Sequence, residues 1–168
     1  MPDELTVSTI RPSECSSAEL AEICSLVRSG GEVMEAGVEQ RIKEAKALFL
    51  VRDGEGLVAV AALKNPRPTY RASVFRKAAA KNDPKVFRYE LGWIFVVPSS
   101  RGKGLSHALV SAAVGDSMGA PIFATCRVDN VAMHRSLLSA GFHRHGEDYN
   151  SERGSYRLAL FLFDTSRS

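Results

Sequence analysis

Apolar and polar positions follow two different periods in turn along the chain, which indicates that strands and helices are interspersed. LTVSTI has the two-residue alternation of a strand, and SSAELAEICSLVRSGG after it has a serine cap, apolar residues at helical spacing and a closing glycine pair. VEQRIKEAKA consists largely of helix formers and predicts a second helix that ends near Lys46. The chain is therefore predicted to begin with a strand and two helices.

Two apolar runs flank Asp53-Gly54-Glu55-Gly56 and predict a β-hairpin, whose turn we expect to need positive φ. KNPRPTY follows as a cluster of breakers, and RASVFRKAAAKNDP predicts a short basic helix that Asn82-Asp83-Pro84 ends. The cations of residues 71–88 have two interpretations. They form either a solvated amphipathic face or a contact surface for an acidic substrate or another chain.

The second half of the chain alternates regularly between the two periods. KVFRYELGWIFVV is a long strand-like run, and the helical pattern that begins near Lys103 continues to the glycine of SMGA. PIFATCRV predicts a buried strand, and DNVAMHRSLLSAGF a helix capped by Asp129 or Asn130 and stopped at Gly141. HRHGEDYNSERG predicts a short strand and a loop before the closing strand SYRLALFLF.

This order of elements predicts the α/β (α+β) class, with a central mixed, mostly antiparallel sheet flanked by helices. The chain has 168 residues, of which 45% are hydrophobic, and this predicts a single domain over residues 1–168. The apolar closing strand could also contribute to a homodimer edge.

Charge and cysteine content narrow the class of protein. A formal net charge of +3 is weak support for a nucleic-acid partner and would suit a small polyanionic ligand equally well. The three cysteines have no spacing typical of a disulfide framework or a zinc site, so we expect no metal. No signal-like start or membrane-length apolar run is present in the sequence. We therefore expect a cytoplasmic protein with neither a nucleic-acid nor a membrane partner.

A glycine-rich, cationic stretch lies where the long strand gives way to a helix. The free N–H groups of a helix start, glycines that let an anion approach, and the charges of Arg101 and Lys103 suit a phosphate group. Neither the Walker pattern nor the dinucleotide fingerprint is present. For Gly102-Lys103-Gly104 alone, a tight turn with solvated cations is the alternative.

FVVPSSRGKGLSHAL resembles the strand, loop and helix of the GNAT superfamily of acyl-CoA-dependent N-acyltransferases, whose Arg/Gln-x-x-Gly-x-Gly/Ala pattern holds the coenzyme A pyrophosphate. Ser106 replaces the usual glycine or alanine. The resemblance implies acetyl-CoA as co-substrate and backbone hydrogen bonds from Val96 and Val97 to the pantetheine arm. It assigns the pyrophosphate loop to Arg101, Gly102, Lys103, Gly104, Leu105 and Ser106.

DNVAMHRSLLSAGF is similar to the later helix of the same family, in which an asparagine begins the helix beside the coenzyme and a Gly-Phe pair ends it. Asn130, Gly141 and Phe142 match those positions. The likeness extends from Leu5 to Phe163, although residues 64–86 have no counterpart in the simplest members. It implies a GNAT-type acyl-CoA N-acyltransferase fold.

Acyl transfer to an amine requires a base, a donor to the oxyanion and a proton for the departing thiolate. Glu90 is the candidate base, since some family members have a glutamate at this distance before the loop. Alternation places it on one face with Gly92, Ile94 and Val96. The alternatives are that Glu90 is exposed or that it pairs with Arg71, Arg76 or Arg88. The N–H near Val96 is the expected oxyanion donor.

The general acid is less clear from the sequence. The family often has a tyrosine four residues before the Gly-Phe pair, where this chain has Leu137. His134 is the catalytic candidate on that helix, and Ser136, Tyr149, Tyr156 or water are the others. Cys126 could accept an acyl group but is better explained by core packing, and Trp93 by the core or a pocket wall.

The resulting prediction is an N-acetyltransferase that moves an acetyl group from acetyl-CoA to a primary amine by direct attack. A catalytically weak or inactive acyl-CoA-binding sensor is the alternative, and Leu137 favours it. Acetyl-CoA turnover stimulated by an amine would separate the two. A nucleic-acid binder using residues 71–88 is a third, weaker hypothesis, and it would show a steep salt dependence.

Overall fold

The computed structural model describes residues 4–31 and 35–164. It has seven strands: β1 (Val7–Ile10), β2 (Ala47–Asp53), β3 (Gly56–Lys64), β4 (Tyr89–Val96), β5 (Ile122–Arg127), β6 (His143–Asn150) and β7 (Arg157–Phe163). All seven belong to one sheet with the order β1-β2-β3-β4-β5-β7-β6. The predicted α/β class and mixed sheet are thus confirmed.

Five helices connect these strands: α1 (Ser17–Ser29), α2 (Val38–Lys43), α3 (Pro68–Lys77), α4 (Leu105–Ser117) and α5 (Val131–Ser139). Short 3₁₀ turns lie at Pro12–Glu14, Pro84–Val86 and Pro98–Ser100. Each of these turns begins with proline, whose missing N–H costs nothing at a helix start. None of the helices in the described ranges is both long enough and apolar enough to cross a membrane.

Neighbouring strands run antiparallel except at the centre of the sheet. β4 and β5 are parallel, as the helical connection α4 between them requires. Only two residue pairs join them, Tyr89 with Ile122 and Glu90 with Phe123. Beyond Glu90 the two strands separate, and a gap opens in the sheet.

Three apolar clusters cover the two faces of the sheet. The α4 core packs α4 and α5 against one face, through residues such as Leu109 and Leu137. On the opposite face, the α1 core packs α1 and α2 against β2 and β3. The α3 core packs Val74 and Phe75 against β5 and β7. The basic segment after Lys64 therefore contains an amphipathic helix, α3, that closes this face.

A bulge at Trp93 breaks the alternation of β4. Trp93 has φ of +53°, unusual for a large side chain. Val60 pairs with Phe95 and Ala62 with Gly92, so three steps along β4 match two steps along β3. The extra residue on β4 reverses the face of every side chain that follows it.

The expectation that Gly92, Ile94 and Val96 share the face of Glu90 is therefore wrong for two of them. Ile94 and Val96 pack in the α4 core on the opposite face. Gly92 does stay beside Glu90, since a Cβ atom placed on Gly92 would lie 3.5 Å from Glu90 Oε1. A simple period of two cannot reveal a bulge, which is why the sequence pattern failed here.

Several predicted boundaries also change. α2 ends at Lys43 and not near Lys46, α4 begins at Leu105 and not near Lys103, and α3 begins at Pro68, inside the predicted breaker cluster. β6 extends over 8 residues where a short strand was expected. The hairpin is confirmed, and the positive φ expected of its turn is at Gly56. The Asp53 carboxylate accepts the N–H groups of Glu55 and Gly56 and holds the turn.

An acidic side chain at the end of α4 fixes this helix to the first strands. Asp116 accepts hydrogen bonds from Arg11 at 3.0 and 3.1 Å and from Lys46 Nζ at 2.9 Å. Its side chain is only 13% exposed. Burial raises the pKa of the Asp116 carboxyl, but the hydrogen bonds from Arg11 and Lys46 and their charges outweigh burial and lower it.

Asp116→Asn should lower the free energy of unfolding by about 1–2 kcal/mol near neutral pH. A carboxyl whose pKa is depressed by folding contributes stability above its unfolded pKa, about 3.9, and loses that contribution as the pH falls through the folded value. Urea unfolding at about pH 7 and about pH 3 should show a larger difference between the variant and the unmodified protein at the higher pH.

The matched control is Glu39→Gln, because Glu39 forms an exposed pair with Lys43 at 3.4 Å. This substitution should change stability by less than about 0.5 kcal/mol at either pH. An Asp116→Asn effect that is the same at both pH values would show that the charge of Asp116 does not stabilise the fold.

Candidate active site

A cavity of about 140 Å³ occupies the gap between β4 and β5. Its lining includes Leu91 and Ala124, which belong to the α4 core, and Trp93 and Val27, which belong to the α1 core. The cavity therefore connects the two faces of the sheet. A linear ligand inserted from one face could meet a second ligand that enters from the other.

The loop before α4 has the backbone of an anion-binding site. Gly102 and Gly104 have φ of +80° and +75°, and Gly104 directly precedes the helix. A Cβ atom placed on either glycine would meet nothing within 4 Å, so the space in front of the loop is open. The first-turn N–H groups of Leu105 and Ser106 have no acceptor inside a helix. A pyrophosphate group fits this loop by charge and by space.

Two of the predicted coenzyme residues are partly engaged inside the protein. Val97 donates its N–H to Val58 O at 2.9 Å, and its carbonyl accepts the N–H of Ser100 at 2.9 Å. Successive residues of a strand direct their backbone N–H groups to opposite edges. The N–H of Val96 therefore points to the gap between β4 and β5. Of the two valines, Val96 is thus the one placed to bond a ligand between the strands.

Arg101 lies back along β4 instead of extending over the loop. Its Nε donates to Val96 O at 3.1 Å, and its guanidinium lies 5.8 Å from the centre of the Phe95 ring. Arg101 therefore fixes the loop against the end of the strand. Lys103, like Arg101, is exposed.

Asn130 begins α5 and lines the same cavity. Its side-chain oxygen accepts the N–H of Met133 at 3.2 Å, as an N-cap residue does. The sequence left Asp129 and Asn130 open as the cap, and the structure places Asn130 there. The amide nitrogen of Asn130 remains a hydrogen-bond donor at the edge of the cavity.

Glu90 is buried, with 3% of its surface exposed, and lines the cavity. Lys64, its partner in the register of β3 and β4, places Nζ 2.6 Å from Oε1. Oε2 has no hydrogen-bond partner among the described residues. The alternatives of an exposed Glu90 or an arginine partner are therefore wrong. Oε2 belongs to a residue that lines the cavity and is itself buried, and leaving a buried carboxylate oxygen unsatisfied is costly.

Aromatic rings surround the Lys64–Glu90 pair. Lys64 Nζ lies 4.9 Å from the centre of the Trp93 ring and 6.0 Å from that of Tyr70. Burial of its hydroxyl end, the negative charge of Glu90 and a hydrogen-bond interaction with the Glu90 carboxylate raise the pKa of Tyr70, although 38% of the whole residue is exposed. Burial, and next the charge of Glu90, raises the pKa of Tyr149. Both phenols therefore stay protonated near neutrality, and both can donate a proton to a hydrogen bond.

Lys64 and Tyr70 are the site residues that the sequence interpretation missed. Lys64 ends a strand beside a breaker cluster, and Tyr70 lies in the segment without a counterpart in simple family members. The signal for Lys64 is the register of the β3–β4 pair, which the hairpin and the bulge jointly determine. A single sequence does not show that register.

The other predicted residues are less central. His134 Nε2 lies 2.9 Å from Arg127 O, and the His134 ring packs 5.0 Å from Phe161, outside the lining of the cavity. Tyr156 does line the cavity, with the Arg127 guanidinium 3.7 Å from the centre of its ring. Leu137 is buried in the wall at the position where the family often has tyrosine.

Cys126 is buried, as core packing predicted, and contributes to the cavity wall. Trp93 likewise belongs to both the core and the pocket wall. Within the described ranges, no cluster of three or more His, Cys, Asp or Glu side chains could hold a metal ion.

Basic side chains outnumber acidic ones among the described residues that line the cavity. Burial lowers the pKa of Arg41, and the neighbouring charges of Arg153 and Arg67 lower it further. Arg153 lines the cavity together with Lys64 and Arg127, whereas Glu90 is the one acidic residue among the described lining residues.

Comparison with known proteins gives the same fold. Residues 19–142 match the model of the acetyltransferase (GNAT) family. No curated protein sequence matches the chain significantly. Escherichia coli ElaA is 16% identical, with 96% of this chain and 100% of that chain covered and a TM-score of 0.67. An acyl-CoA N-acyltransferase from Pseudomonas aeruginosa is 15% identical, with 95% and 99% covered and a TM-score of 0.68.

An N-acetyltransferase from Staphylococcus aureus is also similar, at 14% identity, with 96% of this chain and 97% of that chain covered and a TM-score of 0.63. Identities this low support the fold alone, whereas the family match is independent of them and spans well over half of the sequence. The chain belongs to the acetyltransferase (GNAT) family.

Proposed function

We propose that the chain is an N-acetyltransferase that moves the acetyl group of acetyl-CoA to a primary amine by direct attack on the thioester. The observation that carries this proposal is the position of Glu90. It is a buried carboxylate with one unpartnered oxygen, next to the point where β4 and β5 separate. The anion-binding loop lies at the far end of the same gap.

The coenzyme would be held along the gap between the strands. The N–H groups of Gly102 to Ser106 bind the pyrophosphate, with Lys103 adding charge. Val96 bonds the pantetheine arm, and the Asn130 amide lies beside it. The thioester then lies close to the bulge in β4, where backbone N–H groups face the gap and can stabilise the oxyanion. Acetyl-CoA supplies the activated acyl group.

The acceptor amine enters from the α1 side, where Glu90 and the rings of Trp93 and Tyr70 line the cavity. Glu90 takes a proton from the amine, whose nitrogen then attacks the carbonyl carbon. The thiolate leaves and is protonated by Tyr156, which lines the cavity, or by water. Direct attack is favoured because Cys126 is buried among the apolar residues of the α4 core, where it serves in packing.

A catalytically inactive acyl-CoA sensor is the second candidate function. Leu137 supports it, because this buried side chain cannot donate a proton at a position where the family often has tyrosine. The two functions differ in turnover. A sensor binds acetyl-CoA and releases no free coenzyme A when amines are added, whereas the enzyme releases one coenzyme A for each acetylated amine.

Gly104→Glu should weaken acetyl-CoA binding at least tenfold, or about 1.4 kcal/mol, in calorimetric titration. A carboxylate there repels the pyrophosphate and fills the open space before the loop. The matched control is Gly37→Glu, since Gly37 precedes α2 with nearly the same φ of +74° and equally open surroundings. Equal loss in both variants would mean that backbone strain, and not the loop, causes the effect.

Glu90→Gln should lower kcat/KM for amine acetylation by about a hundredfold or more, while acetyl-CoA binding stays within about threefold. The amide keeps the shape of the side chain and cannot accept the proton. His134→Gln, measured alongside, tests the second catalytic candidate. A loss as large as that of Glu90→Gln would assign His134 to the chemistry, and an effect below about threefold would assign it to the fold.

A further inference from the structure

The cavity already contains an amine that belongs to the chain itself. Lys64 Nζ is 2.6 Å from Glu90 Oε1, and no other lysine is among the described residues that line the cavity. The Lys64 side chain is 20% exposed. An acceptor amine would need this same contact with the proposed base. Lys64 thus satisfies within the protein the first requirement of the acetyl-transfer reaction.

Gly92 determines how Lys64 reaches this position. A Cβ atom on Gly92 would lie 2.8 Å from Lys64 Cδ and 3.6 Å from Nζ. The stem of Lys64 therefore crosses β4 at a residue without a side chain, one position before the bulge. Gly92 is also two residues beyond Glu90, where β4 and β5 have begun to separate. The Lys64 ammonium group therefore lies at the Glu90 end of the gap, where the proposed function places the thioester.

The rings beside Lys64 hold its ammonium group at the cavity. Nζ lies 4.9 Å from the centre of the Trp93 ring and 6.0 Å from that of Tyr70, and both rings attract the cation through their π faces. Removal of a proton by Glu90, whose Oε1 is 2.6 Å away, would give the nitrogen the lone pair that acyl transfer requires.

We propose that Lys64 is an acetylation site that the protein modifies in its own active site. The inference rests on the proposed N-acetyltransferase function and adds an internal acceptor to it. Nothing besides acetyl-CoA is consumed.

The reaction balances with these groups alone. Glu90 accepts a proton from the Lys64 ammonium, and the nitrogen lone pair attacks the thioester carbonyl carbon. The new C–N bond forms, the C–S bond breaks, and the thiolate takes up a proton. The products are Nε-acetyl-Lys64, free coenzyme A and one proton released to solvent. Glu90 then loses its internal counter-ion, and an external ammonium can replace it.

The test is incubation of the full chain with acetyl-CoA, followed by intact mass measurement and peptide mapping over time. Lys46 is the matched control site, since it is paired with Asp116 at 2.9 Å, is similarly buried at 26% exposure, and lies outside the cavity lining. We expect one acetyl group at Lys64, added at least tenfold faster than at Lys46. The first-order rate should not depend on protein concentration.

Variants separate the enzymatic reaction from spontaneous acetylation. Glu90→Gln should slow Lys64 acetylation at least tenfold, and Lys64→Arg should remove the modified peptide altogether. Gly92→Ala provides a second variant that keeps both reacting groups and displaces the Lys64 stem, so it should also slow the reaction. Modification that continues at the unmodified rate in both Glu90→Gln and Gly92→Ala overturns the proposal.

A further outcome distinguishes this inference from the function on which it rests. If Lys64 is acetylated no faster than Lys46 while an added primary amine is acetylated, the internal acceptor is disproved and the N-acetyltransferase function stands. If acetyl-CoA is neither bound nor consumed, both proposals fail together.

Discussion

The separation of β4 and β5 is the constraint on which the site depends. A parallel pair inside an otherwise antiparallel sheet has no hairpin to hold it, and here only two residue pairs connect the strands. β3 holds β4 from one side and β7 holds β5 from the other, so each strand follows its own twisted partner away from the gap. The opening at the centre of the sheet therefore results from the strand pairing and not from a surface loop.

Burying an ion pair beside this opening is expensive, and the local sequence lowers the cost. The attraction between two charges offsets the free energy of removing them from water only when they are close together and their remaining polar atoms have hydrogen-bond partners. Lys64 and Glu90 meet at 2.6 Å, and two aromatic rings face the ammonium. One carboxylate oxygen nevertheless has no partner among the described residues. Such a residual cost is typical of a site that is completed by a ligand.

Most of the architecture could be predicted from residue patterns, because each local signal agrees with the fold. The Ser16 cap and Glu19 form the capping box that α1 needs, and Gly141 stops the last helix with φ of +102°. The loop of residues 101–106 was found for the same reason, since its glycines and cations are adjacent in sequence. These features depend on residues that are close together in the sequence, so the sequence pattern alone reveals them.

The interior of the candidate site was less predictable because its contacts join distant segments. Glu90 was identified, yet its partner Lys64 lies 26 positions away and meets it through the β3–β4 register. The bulge at Trp93 also places Ile94 and Val96 on the face of the sheet opposite Glu90. No residue type in the sequence indicates such a bulge. Pairings of this kind are properties of the sheet, and they emerge only when the strands are assembled.

The ion-pair cluster at Asp116 has a consequence for the opposite end of α4. This helix has 13 residues, so its two ends lie about 20 Å apart. Asp116 joins one end to Arg11 and Lys46, and the other end begins at the glycine-rich loop before Leu105. Arg11, 105 positions before Asp116 in the sequence, therefore helps to fix the helix whose other end carries this loop.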